Sequence, residues 1–108
     1  MLRGRVRDQA LPAGGAGLTG LVEEYLTDRR RVRLEYDLYL AAARDPALRP
    51  LAEAWLHGFR DLLEPRLGLE AARAVVALLD GAMLQALVTD ADLDGPALTA
   101  AIRHLHTR

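Results

Sequence analysis

The 108-residue chain contains no cysteine, lysine, serine or asparagine. The lack of cysteine excludes disulfide bonds, thiolate metal sites and cysteine nucleophiles. With serine also absent, the nucleophile would have to be one of five threonines, and none has a histidine within plausible sequence reach that also looks buried. These absences argue against an enzyme, and no cofactor is predicted.

Residues that favour β-sheets are scarce. The chain has one isoleucine, six valines and five aromatic residues, against 22 leucines and 19 alanines. Leucine and alanine lose little freedom in a helix, whereas strands draw on β-branched and aromatic side chains. The composition therefore predicts an all-α protein, and its 108 residues are enough for one domain.

Long hydrophobic runs are missing as well. The longest uninterrupted one, residues 74–79, is far shorter than the ~20 residues that cross a membrane. An N-terminal secretory segment is not indicated, because Asp8 and Gln9 follow the first arginines. We therefore expect a soluble cytoplasmic protein. All 14 basic residues are arginine, a bias typical of a GC-rich bacterial genome.

Neither sign of charge is in excess, since 14 arginines face 15 acidic residues and the net charge is −1. Domains that bind nucleic acid normally carry a basic surplus. The one basic cluster, residues 29–33, is flanked by Asp28 and Glu35. We interpret this cluster as the solvated start of a helix and expect no DNA binding by this chain alone.

Helical periodicity begins after a segment rich in glycine and proline. Residues 1–17 are predicted to be a flexible leader, and residues 18–108 a helical domain. Thr27 or Asp28 is suited to cap a helix, and Gly68 to end one. The pattern predicts a bundle of five helices, at about residues 18–27, 28–43, 46–67, 69–89 and 96–105.

The fourth predicted helix is apolar almost all round, with only Arg73, Asp80 and Gln85 polar between residues 71 and 88. Such a helix must be covered on more than one side. The last helix carries a second apolar stripe, so we expect the two helices to form a homodimer seam. The residues predicted at this seam are Val75, Leu78, Ala82, Leu98 and Ile102.

The aromatic residues recur at helical spacing. Tyr36 and Tyr39 share one face of the second helix, and Trp55 and Phe59 share the apolar face of the third. Ordinary core packing is one interpretation. The other is an apolar pocket with a few orienting polar groups, and its predicted ligand-binding residues are Tyr36, Tyr39, Trp55, Phe59, Met83 and Gln85.

Two stretches resemble the ligand-binding domain of tetracycline-repressor (TetR) family transcription regulators, residues 32–51 (VRLEYDLYLAAARDPALRPL) and 78–87 (LLDGAMLQAL). The resemblance implies a pocket inside the bundle and a dimer formed through the last two helices. The family also has an N-terminal three-helix DNA-binding segment of some fifty residues, whereas seventeen residues precede the first predicted helix here.

Two possible metal sites are present in the pattern. Asp90, Asp92, Asp94 and Gly95 match the start of a calcium loop, but Ala101 stands where the closing carboxylate belongs. We expect an aspartate of this loop to cap the last helix instead. Glu53 and His57 share the polar face of the third helix, where solvated side chains are expected. No metal site is predicted.

Together these features predict a ligand-sensing and dimerisation domain of a TetR-type bacterial regulator that binds a small hydrophobic effector. DNA would be bound only through a helix-turn-helix segment outside this chain. The alternative is a free-standing helical dimerisation module that pairs with a full-length regulator and modulates it.

Overall fold

The computed structural model describes residues 14–107, and every regular element in that range is helical. This confirms the predicted all-α bundle of five helices. The elements are α1 (Gly14–Tyr25), α2 (Arg29–Ala41), a short 3-10 turn (Pro46–Leu48), α3 (Arg49–Leu67), α4 (Leu69–Thr89) and α5 (Gly95–Thr107).

The first helix begins at Gly14, four residues before the start at residue 18 that the sequence predicts. Glycine inside a helix costs about 1 kcal/mol relative to alanine. Burial of a single leucine side chain contributes about 1.5–3 kcal/mol, and Leu18, Leu21 and Val22 are all buried on α1. Tertiary packing therefore outweighs the glycines. The remaining leader, residues 1–13, lies outside the described residues.

Aspartates begin three of the helical segments. Asp28, Asp45 and Asp94 each accept a hydrogen bond from a backbone N–H two or three residues ahead, at 3.2, 3.0 and 3.1 Å. Each bond satisfies an N–H group that the first turn of a helix leaves unpaired. The predicted caps at Asp28 and in the acidic loop, at Asp94, are confirmed.

Helices α3 and α4 are joined by one residue, Gly68. Its backbone (φ 82°, ψ 161°) lies in a region that essentially only glycine adopts. This places the end of α3 where the sequence predicts it, and α4 has the predicted bounds. At its other end α4 stops at Asp90, which has the left-handed conformation (φ 52°) common after a helix.

The core lies where α1 packs along α5 and α3 packs along α4. A hydrogen bond of 2.7 Å between the hydroxyl groups of Thr19 and Thr99 also joins α1 to α5. The most deeply buried large side chains are Val22, Val32, Leu63, Val75, Leu79 and Ile102.

Three of the residues predicted at a dimer seam belong to this core. Val75, Leu98 and Ile102 are 0%, 6% and 1% exposed, so they are covered by the chain itself. Leu98 and Ile102 are covered because α1 packs along α5, and Val75 lies on a face of α4 that the bundle itself buries, so none of the three has surface left for a partner. Leu78 and Ala82 are half-buried and keep part of their surface free within the chain.

Arg29, at the start of α2, ties that helix to the end of α4. Its guanidinium donates to the backbone oxygens of Ala86 (3.2 Å) and Ala91 (2.7 Å) and lies 3.8 Å from the carboxylate of Asp92. A cation is favourable there because the last carbonyls of a helix carry partial negative charge. Arg29 is therefore a structural contact, whereas the other arginines of the 29–33 cluster are exposed, as predicted.

By length and composition alone, α4 could cross a membrane. The core helix of a soluble protein meets the same criterion, and α4 contributes six buried residues to the core of this bundle.

Candidate functional site

A cavity of about 50 Å³ lies between α2, α3 and α4, next to the end of α1. Five aromatic side chains, from α1, α2 and α3, line it together with aliphatic and acidic side chains. Its lining residues are Tyr25, Glu35, Tyr36, Tyr39, Trp55, Leu56, Phe59, Val76, Asp80 and Met83.

Five of the six residues predicted to bind ligand line this cavity. Tyr36 and Tyr39 come from α2, Trp55 and Phe59 from α3, and Met83 from α4. The two tyrosine rings stack, with centroids 6.4 Å apart and planes 16° from parallel. The convergence of aromatic side chains that the helical spacing predicts is therefore present in the fold.

Gln85, the sixth of these residues, does not line the cavity. It lies two residues after Met83, which turns its side chain about 200° away around the helix. Met83 is buried at 3% exposure, whereas Gln85 is exposed.

The polar centre of the cavity is a hydrogen bond between α2 and α4. The hydroxyl of Tyr36 donates to the Asp80 carboxylate at 3.1 Å. Both residues are largely buried, and no arginine or histidine among the described residues lies within salt-bridge distance of Asp80. Within residues 14–107, the carboxylate in this cavity therefore has no ion-pair partner.

Burial raises the pKa values of both Asp80 and Tyr36. It raises the pKa of Asp80 above its ordinary value of 3.8, and the bond from Tyr36 offsets part of that shift because it stabilises the charged form. Burial, and then the negative charge of Asp80, raise the pKa of Tyr36 far above 10.0. Tyr36 thus remains a hydrogen-bond donor at every physiological pH.

A second carboxylate stands at the side of the cavity. Glu35 precedes Tyr36 on α2, and its Oε1 lies 3.5 Å from Nε of Arg31 one turn earlier. The pKa of the Tyr39 phenol is raised by burial and then by Asp80. Acidic groups therefore set the potential inside the cavity, and their charge favours a positively charged occupant.

The cavity is narrow in this state. An engineered cavity that admits benzene measures about 150 Å³, so the present 50 Å³ holds a smaller group unless side chains move. The inner wall is fixed, since Phe59, Val76 and Met83 are all buried. Leu56, at 38% exposure, is the least enclosed side chain of the lining, so the wall can yield most easily there.

Asp80 is the main residue that the sequence analysis missed. It lies four residues after Val76 and three before Met83, and this spacing places all three on one face of α4. The sequence signal for Asp80 was its position on an otherwise apolar helix, on the same face as the predicted pocket residue Met83. Glu35 was detectable in the same way, because it lies four residues before Tyr39.

A family described as the tetracyclin repressor-like C-terminal domain matches residues 13–108. The chain belongs to this TetR-like family. Among curated protein sequences, none matches the chain.

Two solved structures of the multidrug binding protein EbrR are similar to this TetR-like domain. The complex of EbrR with proflavin is 44% identical, covers 84% of this chain and superposes with a TM-score of 0.78. The complex with imidazole is 41% identical, covers 96% of this chain and has a TM-score of 0.80. The match takes up 54% and 58% of the two EbrR chains, so this chain spans a little over half of their length.

Proposed function

We propose that this domain is the ligand sensor of a TetR-type transcription regulator and that its ligand is a small, planar, hydrophobic cation. The observation that carries this proposal is the Asp80 carboxylate, which lies beside Tyr36 in a cavity with aromatic walls and has no ion-pair partner among residues 14–107. Isolated buried charges are costly, so a bound cation would offset the electrostatic cost of burying this carboxylate.

The aromatic walls suit the same ligand. Cations are attracted to the faces of tyrosine and tryptophan rings within about 6 Å of the ring centre. Tyr36, Tyr39 and Trp55 supply such faces. Proflavin, with which the similar protein EbrR is complexed, is a planar aromatic compound that takes a proton, and it is the natural first probe.

The mechanism would be regulatory and not enzymatic. Two of the helices that line the cavity, α2 and α4, are joined at the Tyr36–Asp80 bond and at Arg29. A ligand inserted between these helices would favour the more open of two arrangements. In the TetR family such a shift changes the spacing of two DNA-reading segments.

We also propose that the regulator is a homodimer through α4 and α5. Leu78 and Ala82 lie on one side of α4, half-buried, on a face that also includes Ala71 and Ala74 at intervals of three or four residues. Small residues let two helices approach closely. The seam that we propose is therefore narrower than the one predicted from sequence and excludes the three core residues.

The domain itself is proposed not to bind DNA and to work in the cytoplasm. A net charge of −1 is unfavourable for contact with phosphates. The similarity to EbrR covers about half of that protein, so operator recognition belongs to the whole regulator.

The test is a titration with proflavin in which binding is monitored by the fluorescence of Trp55, the single tryptophan of the chain. We expect saturable quenching and a higher melting temperature, since a ligand at a hundredfold excess over Kd stabilises the fold by about 2.7 kcal/mol. Asp80→Asn should weaken proflavin binding about tenfold or more. The control Asp37→Asn, at an exposed carboxylate of α2, should leave binding unchanged.

A dimerisation module without a ligand is the alternative function. Its cavity would be a packing defect, and neither proflavin nor other planar cations would change the melting temperature or the Trp55 emission. That result would favour the module.

A further inference from the structure

A groove of about 350 Å³ runs along the outer side of the contact between α3 and α4. It is separate from the aromatic cavity and much larger. Helix α3 lines it with Leu56, His57 and Arg60, and α4 lines it with Arg73, Val76, Ala77 and Asp80.

The groove and the cavity share one wall. Leu56, Val76 and Asp80 line both. Val76 is 5% exposed and fixed in the core, but Leu56 is 38% exposed and has space on its outer side. Displacement of the Leu56 side chain would therefore join the two spaces into one elongated site with Asp80 at its middle.

Asp80 lines both spaces, but their other charged residues differ in sign. The cavity also has Glu35, whereas the groove also has Arg60 and Arg73. Arg73 forms no hydrogen bond or ion pair within residues 14–107. Arg60 lies 3.5 Å from the carboxylate of its exposed neighbour Asp61, and its Nε is buried without an acceptor.

Residues 14–107 supply no acceptor for the Nε of Arg60 and no partner for Arg73. A guanidinium binds a carboxylate with two parallel hydrogen bonds, which are stronger than bonds between neutral groups. A buried N–H without an acceptor costs free energy that such a ligand group would recover.

We propose that the ligand class is zwitterionic: a planar aromatic cation occupies the cavity, and an acidic group attached to it reaches Arg60 and Arg73 in the groove. This inference rests on the proposed function of the cavity and extends it to the groove. A simple cation makes the contacts with Asp80 and the aromatic rings but gives neither arginine a hydrogen-bond acceptor. Attachment of a carboxylate adds their contacts at little further cost in orientation.

The test compares two dyes that share one cationic fluorophore. Rhodamine 110 carries a free carboxylate, and rhodamine 123 carries its methyl ester. Binding of each is measured by fluorescence polarisation at low salt. We expect the carboxylate to bind at least about tenfold more tightly, which corresponds to about 1.4 kcal/mol. The preference should shrink as salt is added, because it arises from charges close to solvent.

Arg60→Gln and Arg73→Gln should each bring the ratio of the two affinities, rhodamine 110 over rhodamine 123, closer to one. The affinity for rhodamine 123, the ester, should stay within about twofold of the wild-type value. Arg103→Gln, at an exposed residue of α5 outside both spaces, is the matched control and should keep the preference. Melting temperatures report whether each variant is folded, and Arg73, whose side chain is exposed, is the safer of the two substitutions.

Equal affinity for the two dyes, or a preference that survives both arginine substitutions, would overturn the zwitterion proposal. So would failure of both dyes to bind. A proflavin titration on the same sample separates the two hypotheses: binding of proflavin alone leaves the cavity as a cation site without the groove, and failure of all three ligands rejects both.

Discussion

The Tyr36 hydroxyl donates to the Asp80 carboxylate at 3.1 Å and so links α2 to α4 across 44 positions of the chain. The bond has two roles. It provides a buried carboxylate with a hydrogen-bond donor, and it holds together the two helices between which a ligand would have to enter. Stability and ligand affinity are therefore coupled through this pair.

Removal of the donor tests the structural role. Tyr36→Phe leaves Asp80 buried without its partner, so we expect the free energy of unfolding at pH 7 to fall by about 1–3 kcal/mol. Tyr39→Phe is the control, because among the described residues the Tyr39 hydroxyl has no hydrogen bond and the effect should be smaller. Chemical denaturation measures both. Equal losses in the two variants would show that the bond to Asp80 contributes nothing.

The stability of the fold should depend on pH through Asp80. Burial raises its pKa in the folded state above 3.8, so the folded protein binds this proton more tightly than the unfolded chain does. The contribution of Asp80 to stability is therefore fully present below pH 3.8 and is lost as pH rises through its folded pKa.

The difference in unfolding free energy between the wild type and Asp80→Asn isolates this effect from the other carboxylates. Relative to the variant, the wild type should lose stability as pH rises over that range. Proflavin should bind more weakly at the acid end, where Asp80 is neutral. A difference that stays constant with pH would contradict the raised pKa.

The proposed dimer can be tested at Ala82. Ala82→Arg places a charge in the seam, where desolvation costs several kcal/mol unless the side chain reaches water. Sedimentation velocity should then show a monomer or an aggregate. Ala100→Arg, on the exposed side of α5, should leave the dimer intact. A dimer that tolerates Ala82→Arg would remove this face of α4 from the interface.

The one-residue junction between α3 and α4 should be sensitive to substitution. Gly68→Ala forces a side chain into a backbone region that costs about 1–3 kcal/mol for other residues. Gly20→Ala is a matched control inside α1, where a new Cβ has no neighbour within 4 Å and should stabilise the helix by about 0.5–1 kcal/mol. Thermal unfolding should therefore shift in opposite directions for the two variants.

The sequence was sufficient to predict the elements of this fold that depend on local signals. Gly68 marks the start of α4 by its backbone conformation, and Asp28 and Asp94 mark the starts of α2 and α5 by their side-chain caps, so these helix starts could be predicted. Trp55 and Phe59 lie four residues apart on an amphipathic helix, and that spacing is enough to assign them to one face.

The errors concern contacts between helices distant in sequence. A stripe such as Leu98 and Ile102 looks the same whether α1 or a second subunit covers it, and periodicity cannot distinguish these partners. Asp80 was missed for a related reason. Its importance comes from a tyrosine on another helix and from the lack of an ion-pair partner among the described residues, and neither is visible in a local pattern.

The contact made by Arg29 determines how the cavity can widen. The two hydrogen bonds of its guanidinium hold the first turn of α2 against the end of α4. This contact would therefore be the pivot of a rotation of α2. Tyr39 lies ten residues from that pivot, or about 15 Å along the helix axis. A swing of about 8° would therefore carry Tyr39 outward by about 2 Å and leave the pivot in place. The far end of α2, where the chain leads toward α3, would make the largest movement.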